Sequence, residues 1–312
     1  MIINSHVHLN TSNDYFFYND YCLKRFKEEM DETGIDITLP CLNPKVSKLR
    51  CYNDCSFFCN GKVNYNLQNC SCKQPMRHRP CVTSEGGMYK LYCKTCGKII
   101  LISEVDPLRY INIELIEQTK KYRNRIKPIL YLSLCEATLQ KEIEFFEINY
   151  KGEYVGYKFH PWTDQVSIKN FKIETDLPIL IHTGMRDLES SKNVILFSKF
   201  NKNNKIIITH AAQLKESILK QIASSENLYI DCCPAMFLYK NKQSCLEYSD
   251  DILSPEDIFY KVMKFIPSEK ILFGTDSPWG NSKDELQIIN NLNITKQEKD
   301  NILFRNALNI YF

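Results

Sequence analysis

Eight short apolar runs recur along this 312-residue sequence, each followed by a segment with helical spacing, and that alternation restricts the fold more than any other feature. The runs cover residues 1–10, 35–41, 126–132, 154–160, 178–184, 205–210, 228–232 and 271–276. Largely apolar strands need cover on both faces, and strand–helix alternation supplies it in a parallel sheet. Eight such units suggest a sheet closed into a (β/α)8 barrel, which a single chain of this length can build.

Helical spacing covers residues 15–33, where Gly34 stops it, and returns at 110–122, 138–149, 188–200, 214–224 and 255–266. Ser254 is placed to cap the helix that starts at Pro255, and two more helices, from Asp284 and Lys296, close the chain. Pro40 is expected to end the second strand early. Residues 43–98 follow neither strand nor helix period and read as an insertion after strand two, with residues 99–102 as its tail.

The charge balance is nearly even, 40 basic against 37 acidic side chains, which argues against a nucleic-acid or membrane surface. No window approaches the roughly 18 apolar residues of a membrane span, and the N-terminus lacks the basic region and cleavage site of a signal peptide. The expected location is the cytoplasm.

Polar residues close the strands. His6, His8, Lys158, His160, His182, His210 and Asp276 all stand at or near the C-terminal end of a predicted strand, the end where barrel enzymes build their sites. In His6-Val7-His8 the period-two alternation of a strand points both imidazoles the same way. An open doubly wound sheet could hardly gather strands one, four, five, six and eight at one point, whereas a closed barrel does. Five of the six histidines fall on strand ends, and the sixth, His78, lies in the insertion. Imidazoles with one carboxylate suit a borderline divalent ion, Zn²⁺ first, with Mn²⁺ or Fe²⁺ as alternatives.

The set formed by His6-x-His8, His182 in Leu-Ile-His-Thr-Gly, His210 in Ile-Thr-His-Ala and Asp276 in Leu-Phe-Gly-Thr-Asp-Ser-Pro-Trp resembles the amidohydrolase superfamily. The likeness is closest to the branch that also contains metal-dependent decarboxylases and hydratases. It runs over nearly the whole chain and implies a distorted TIM barrel spanning residues 1–312, interrupted by the insertion at 43–98. It further implies that His6, His8, His182 and Asp276 hold the ion. Asp276 would take a proton from a metal-activated water, and His210 would polarise or deprotonate that water or ligate the ion itself.

Strand four departs from the two-metal members of the family. A Glu or carboxylated Lys usually bridges two ions there, but this chain has Gly156-Tyr-Lys158-Phe-His160-Pro161. Lys158 is either carboxylated or a lysine that binds a substrate carboxylate or reaches solvent. The pattern resembles the single-metal branch, which favours the second reading. His160 lines the pocket or fixes the loop, and Arg186 either clamps an anionic substrate or forms a surface ion pair. Trp162 and Trp279 wall the pocket or pack at its rim.

Eight of the 14 cysteines lie between residues 51 and 96, where an even spread would put about two. They are Cys51, Cys55, Cys59, Cys70, Cys72, Cys81, Cys93 and Cys96. A Cys-x-x-Cys-Gly turn at 93–97 is the strongest zinc signature, and eight thiols would suit two structural Zn²⁺ ions, although the pairing is open. Disulfides, free thiols or an iron–sulfur cluster are the alternatives. Cys22, Cys41, Cys135, Cys232, Cys233 and Cys245 read as ordinary core or surface residues, with Cys41, Cys135 and Cys232 near strand ends.

The expected function is metal-dependent hydrolysis of a C–N or C–O bond, as in an amide, lactone or ester, of a small and anionic substrate. Two alternatives stand beside it: non-oxidative decarboxylation or hydration on the same ligand set, and a non-catalytic zinc-binding scaffold. A small-molecule substrate is the expected partner, and homo-oligomerisation is left open.

Overall fold

A computed structural model describes residues 1–9, 20–42, 77–78, 89–92, 99–103, 106, 108–136, 138–247 and 249–312. The barrel strands are β1 (Ile3–Leu9), β2 (Ile37–Leu42), β3 (Ile129–Tyr131), β4 (Gly156–Phe159), β5 (Ile179–Ile181), β6 (Ile206–Ile208), β7 (Leu228–Asp231) and β8 (Ile271–Leu272). Strands β3 to β8 pair in parallel in sequence order, and β1 pairs in parallel with β2.

Two seams complete the circuit. Between β2 and β3, Thr38 donates its N–H to the Arg125 carbonyl (2.8 Å) and accepts from Lys127 N–H (3.0 Å). Between β8 and β1, Ser5 N–H donates to the Phe273 carbonyl (3.0 Å), and the His6 carbonyl accepts from Thr275 N–H (2.9 Å) and Asp276 N–H (2.7 Å). Asn4 clasps this second seam, with Nδ2 donating to Thr275 Oγ1 (2.9 Å) and Oδ1 accepting from Thr275 N–H (3.1 Å). The molecule is therefore a closed eight-stranded parallel barrel with helices outside, the (β/α)8 class that the alternation predicts.

Side-chain alternation divides the apolar residues between two clusters. Ile3, Leu39, Ile129, Leu180, Ile207 and Leu272 meet one another and the C-terminal helix Asn306–Tyr311, through Ala307, Ile310 and Tyr311. Their neighbours of opposite parity, such as Ile179, Ile181, Ile206 and Ile208, pack in the larger cluster with the helices. Helix Glu216–Ser224 contributes Ile218, Leu219 and Ile222 from one face. Each buried aliphatic side chain contributes about 1.5–3 kcal/mol relative to exposure.

Several sequence expectations change. Strand β2 runs through Pro40 to Leu42, because Pro40 pairs with Val7 just past a register shift, and such an irregularity removes the need for its missing N–H. Ser254 makes no side-chain cap; the Asp257 carboxylate accepts instead from the N–H groups of Leu253 (2.8 Å) and Ser254 (2.7 Å). The run at 99–102, by contrast, keeps its expected place outside the barrel circuit: Ile99–Ser103 pair antiparallel with Tyr89–Tyr92, which also pairs with Arg77–His78. The eight cysteines from Cys51 to Cys96 lie outside the described residues. Among the described residues no helix is long and apolar enough to cross a membrane.

Gly274 makes the closing seam close enough. A Cβ there would lie 2.7 Å from His6 Cβ and 2.8 Å from Cys233 Sγ, both on neighbouring strands or the loops they feed. Gly274→Ala should therefore force β1 from β8 and destabilise the protein by about 1–3 kcal/mol, as overpacking does. Urea unfolding checks this, and an unchanged midpoint would show that the seam has slack.

Candidate metal centre

The seam delivers the site. His6 and His8 face the same way on β1, and the paired backbone brings Asp276, four residues past β8, alongside them. Asp276 Oδ1 lies 3.0 Å from His8 Nε2 and 3.3 Å from His6 Nε2, and these three atoms all fall within 4.8 Å of one another. All three residues are buried. Asp276 adopts a left-handed backbone (φ 49°), which turns its carboxylate back across the barrel mouth.

The outer nitrogens of the two imidazoles are held separately. His6 Nδ1 sits 2.9 Å from Asp231 Oδ2 and 3.2 Å from the Cys233 thiol, and His8 Nδ1 sits 3.3 Å from the Cys41 thiol. Such outer partners leave the inner nitrogens, both Nε2, for a cation. Burial, then Lys158, drives the His6 pKa well below its usual value, so the ring is neutral. Burial pulls His8 the same way, but the adjacent Cys41 and Asp276 outweigh it and raise His8 to about 10, so its Nε2 carries a proton shared with Asp276 that a bound cation would have to displace. Burial would lift Asp276, yet the His6 and His8 imidazoles beside it hold it at about 2, a carboxylate.

His210 reaches the same cavity by a different route. After β6 the chain makes a left-handed turn, with φ between 48° and 58° at all five residues from His210 to Leu214, before helix Glu216–Ser224 begins. The helix expected from residue 214 therefore begins two residues later, at Glu216. Left-handed backbone costs about 1–2 kcal/mol per non-glycine residue. Hydrogen bonds offset it: His210 N–H to Asp231 Oδ1 (3.0 Å), Gln213 Nε2–H to Thr183 Oγ1 (2.8 Å) and Glu247 N–H to the Gln213 carbonyl (2.9 Å). His210 Nδ1 lies 2.7 Å from the Cys233 carbonyl, an acceptor only, so Nδ1 carries the proton and Nε2 is the basic atom.

His182 sits beside His210 and apart from the His6–His8–Asp276 vertex. Its Nδ1 is 2.9 Å from His210 Nε2, its Nε2 is 3.5 Å from Glu189 Oε2, and its ring stacks on His160 at 3.7 Å. The ligand atoms of His160, His182 and Glu189 form a second group. His160 Nδ1 accepts from Thr163 N–H (3.2 Å), so its remaining proton is on Nε2 and this nitrogen donates rather than ligates. Burial lowers the pKa of both rings and raises that of Glu189. The His6 and His210 rings, 5.6 Å apart, bring the two groups next to each other.

Lys158 is turned inward, buried, with Nζ 3.0 Å from His6 Nε2; it does not reach solvent. Trp279 stands edge-on to His8 at 5.2 Å and walls the centre. Trp162 is at the rim, 37% exposed, with the exposed Arg186 guanidinium stacked 4.0 Å above it.

Four neighbours of the site escaped the sequence reading. Asp231 carried a signal, since it is the polar last residue of an apolar strand. Cys41 and Cys233, read as ordinary residues, lie against the His8 and His6 imidazoles, while Cys232 packs in the core. Glu189, expected within the helix at 188–200, stands instead in a turn ahead of the helix Ser191–Phe200, and it enters only because Gly184 lacks a side chain, whose Cβ would collide with the Glu189 carboxylate.

Imidazole nitrogens and a carboxylate oxygen on one point, with their outer atoms anchored, fit a borderline divalent ion. Among curated proteins no sequence matches the chain. Among solved structures, it resembles 5-carboxyvanillate decarboxylase from Sphingomonas paucimobilis (12% identity, TM-score 0.61, covering 99% of this chain and 98% of that one). It also resembles a dihydroxybenzoic acid decarboxylase from Polaromonas with bound manganese (14%, TM-score 0.58, 99% and 96%). A third likeness is to an Acinetobacter baumannii protein assigned as a 2-pyrone-4,6-dicarboxylic acid hydrolase (11%, TM-score 0.56, 99% and 98%). At these identities the likeness is one of fold. The amidohydrolase family model matches residues 171–312, the part of the chain that carries His182, His210 and Asp276. Over that C-terminal part the chain is similar to amidohydrolases, and its barrel has the fold of the solved structures named above.

Proposed function

We propose that the protein is a metal-dependent hydrolase that cleaves a C–N or C–O bond in a small anionic substrate. The observation that carries this is the convergence of His6 Nε2, His8 Nε2 and Asp276 Oδ1 on one buried point, with His210 Nε2 and Lys158 Nζ in the same cavity. His6, His8 and Asp276 would hold the ion, with His182 the fourth donor that the superfamily resemblance implies. When bound, a zinc or manganese ion supplies Lewis acidity and lowers the pKa of its water towards about 7.

The remaining work falls to the chain's own groups. His210 Nε2 accepts a proton, because the Cys233 carbonyl keeps the ring's other proton on Nδ1. Asp276 is a second acceptor through its carboxylate. The Lys158 ammonium and the His160 Nε2–H donate to negative charge on the substrate, and Arg186, at the rim, meets an outer carboxylate. Trp279 keeps water from the His8 side. His182 Nδ1–H donates to His210 Nε2, which leaves His182 Nε2, beside Glu189, with the lone pair.

His210→Ala should lower kcat roughly 100- to 10,000-fold while metal content stays at the wild-type level, as expected for loss of a proton acceptor. Asp276→Ala should lose the barrel ion, read by elemental mass spectrometry. Equal metal in wild type and Asp276→Ala would sink the proposed centre. The clustered cysteines are proposed, on their spacing alone, to hold two structural zinc ions, so wild type should carry about three metals per chain and Asp276→Ala about two.

A second reading, non-oxidative decarboxylation, draws support from the fold likeness to two decarboxylases, one with bound manganese. Assaying carbon dioxide release from hydroxylated aromatic acids against turnover of lactones, esters and amides separates the two. Carbon dioxide release without hydrolysis would replace the first reading with the second.

A further inference from the structure

We infer that Asp231 is the positioning carboxylate of this site, fixing which nitrogen of His6 faces the centre and where His210 begins its turn. Asp231 ends β7, is completely buried, and spends its two oxygens on two different strands. Oδ2 lies 2.9 Å from His6 Nδ1 on β1, and Oδ1 accepts the His210 backbone N–H at 3.0 Å, just past β6.

The proton positions follow from the neighbours. Lys158 Nζ is a donor, and at 3.0 Å it needs a lone pair on His6 Nε2. The ring's proton is then on Nδ1, where Asp231 Oδ2 receives it. His6, Asp231 and Cys233 also form a three-ligand group of their own, in which the buried Cys233 thiol donates to Asp231 Oδ1 (3.4 Å). One carboxylate thus holds His6 in the form that presents Nε2 inward and anchors the first residue of the left-handed turn that carries His210.

Asp231→Asn tests this with little change of shape. The His210 N–H is a fixed donor, so the amide must give it the oxygen and turn its NH2 towards His6 Nδ1. That ring nitrogen must then accept, and the proton moves to Nε2, into the centre. The inference rests on the metal-centre reading proposed above, but its first measurement needs no metal. In metal-free wild type, ¹⁵N-imidazole spectra, with His6 assigned by its absence in His6→Gln, should report the proton on Nδ1; in Asp231→Asn they should report it on Nε2. Competition with a chromogenic chelator should then show Zn²⁺ or Mn²⁺ bound about 10- to 100-fold more weakly by the variant. A wild-type His6 protonated on Nε2 would overturn the inference even if Asp231→Asn failed to fold. Unchanged metal affinity in a folded variant would overturn it as well. A wild type that binds no ion at the barrel, yet carries the Nδ1 proton, would refute the metal-centre reading while leaving the Asp231 assignment supported.

Discussion

The hydrogen bonds between the first and last strands are the interaction on which the rest of the site depends. The His6 carbonyl accepts two successive N–H groups, from Thr275 and Asp276, and this pairing draws the Asp276 carboxylate onto the two imidazoles of β1. The Asn4–Thr275 clasp and the bare Cα of Gly274 keep the strands in that register. Barrel closure is thus both a folding event and the step that brings His6, His8 and Asp276 together, because these residues come from opposite ends of the chain.

Gathering five histidines, a lysine and three carboxylates in one cavity is costly unless each is paired, since burial disfavours every charged form. The protein meets that cost with reciprocal partners. Asp231, Cys41 and the Cys233 carbonyl occupy outer ring nitrogens, Glu189 faces His182, and Asp276 stays ionised between two imidazoles. The left-handed turn at His210–Leu214 stores strain in the same region, which persists because surrounding hydrogen bonds hold it. Its effect is to set His210 Nε2 against His182 rather than along the axis of the following helix. His210 is therefore positioned by backbone geometry as much as by its ring contacts.

Much of this was legible in the sequence. Local periodicity is a property of consecutive residues, so eight apolar runs with intervening helical spacing identified a closed parallel barrel, and the polar residues closing those runs marked His6, His8, Lys158, His160, His182, His210 and Asp276. Those side chains do come close to one another, because the strand ends of a barrel surround a single mouth. The helix boundaries and caps fared less well: Asp257 rather than Ser254 serves the helix at Glu256–Met263, and the turn after β6 has no sequence signature, since Ala-Ala-Gln is equally at home in an ordinary helix.

What only the tertiary structure decided is how the rings are turned and what stands behind them. His6 and Asp231 are 225 residues apart, and no local pattern links them; their contact exists because β7, β8 and β1 are successive walls of one barrel. The same holds for Cys41 behind His8 and for the separation of His182 from the His6–His8–Asp276 vertex. Sequence determined the kinds of donor and the face they share, because side-chain direction along a strand follows from backbone alternation. Their protonation and mutual distances depend on through-space neighbours, which exist only once the sheet has closed.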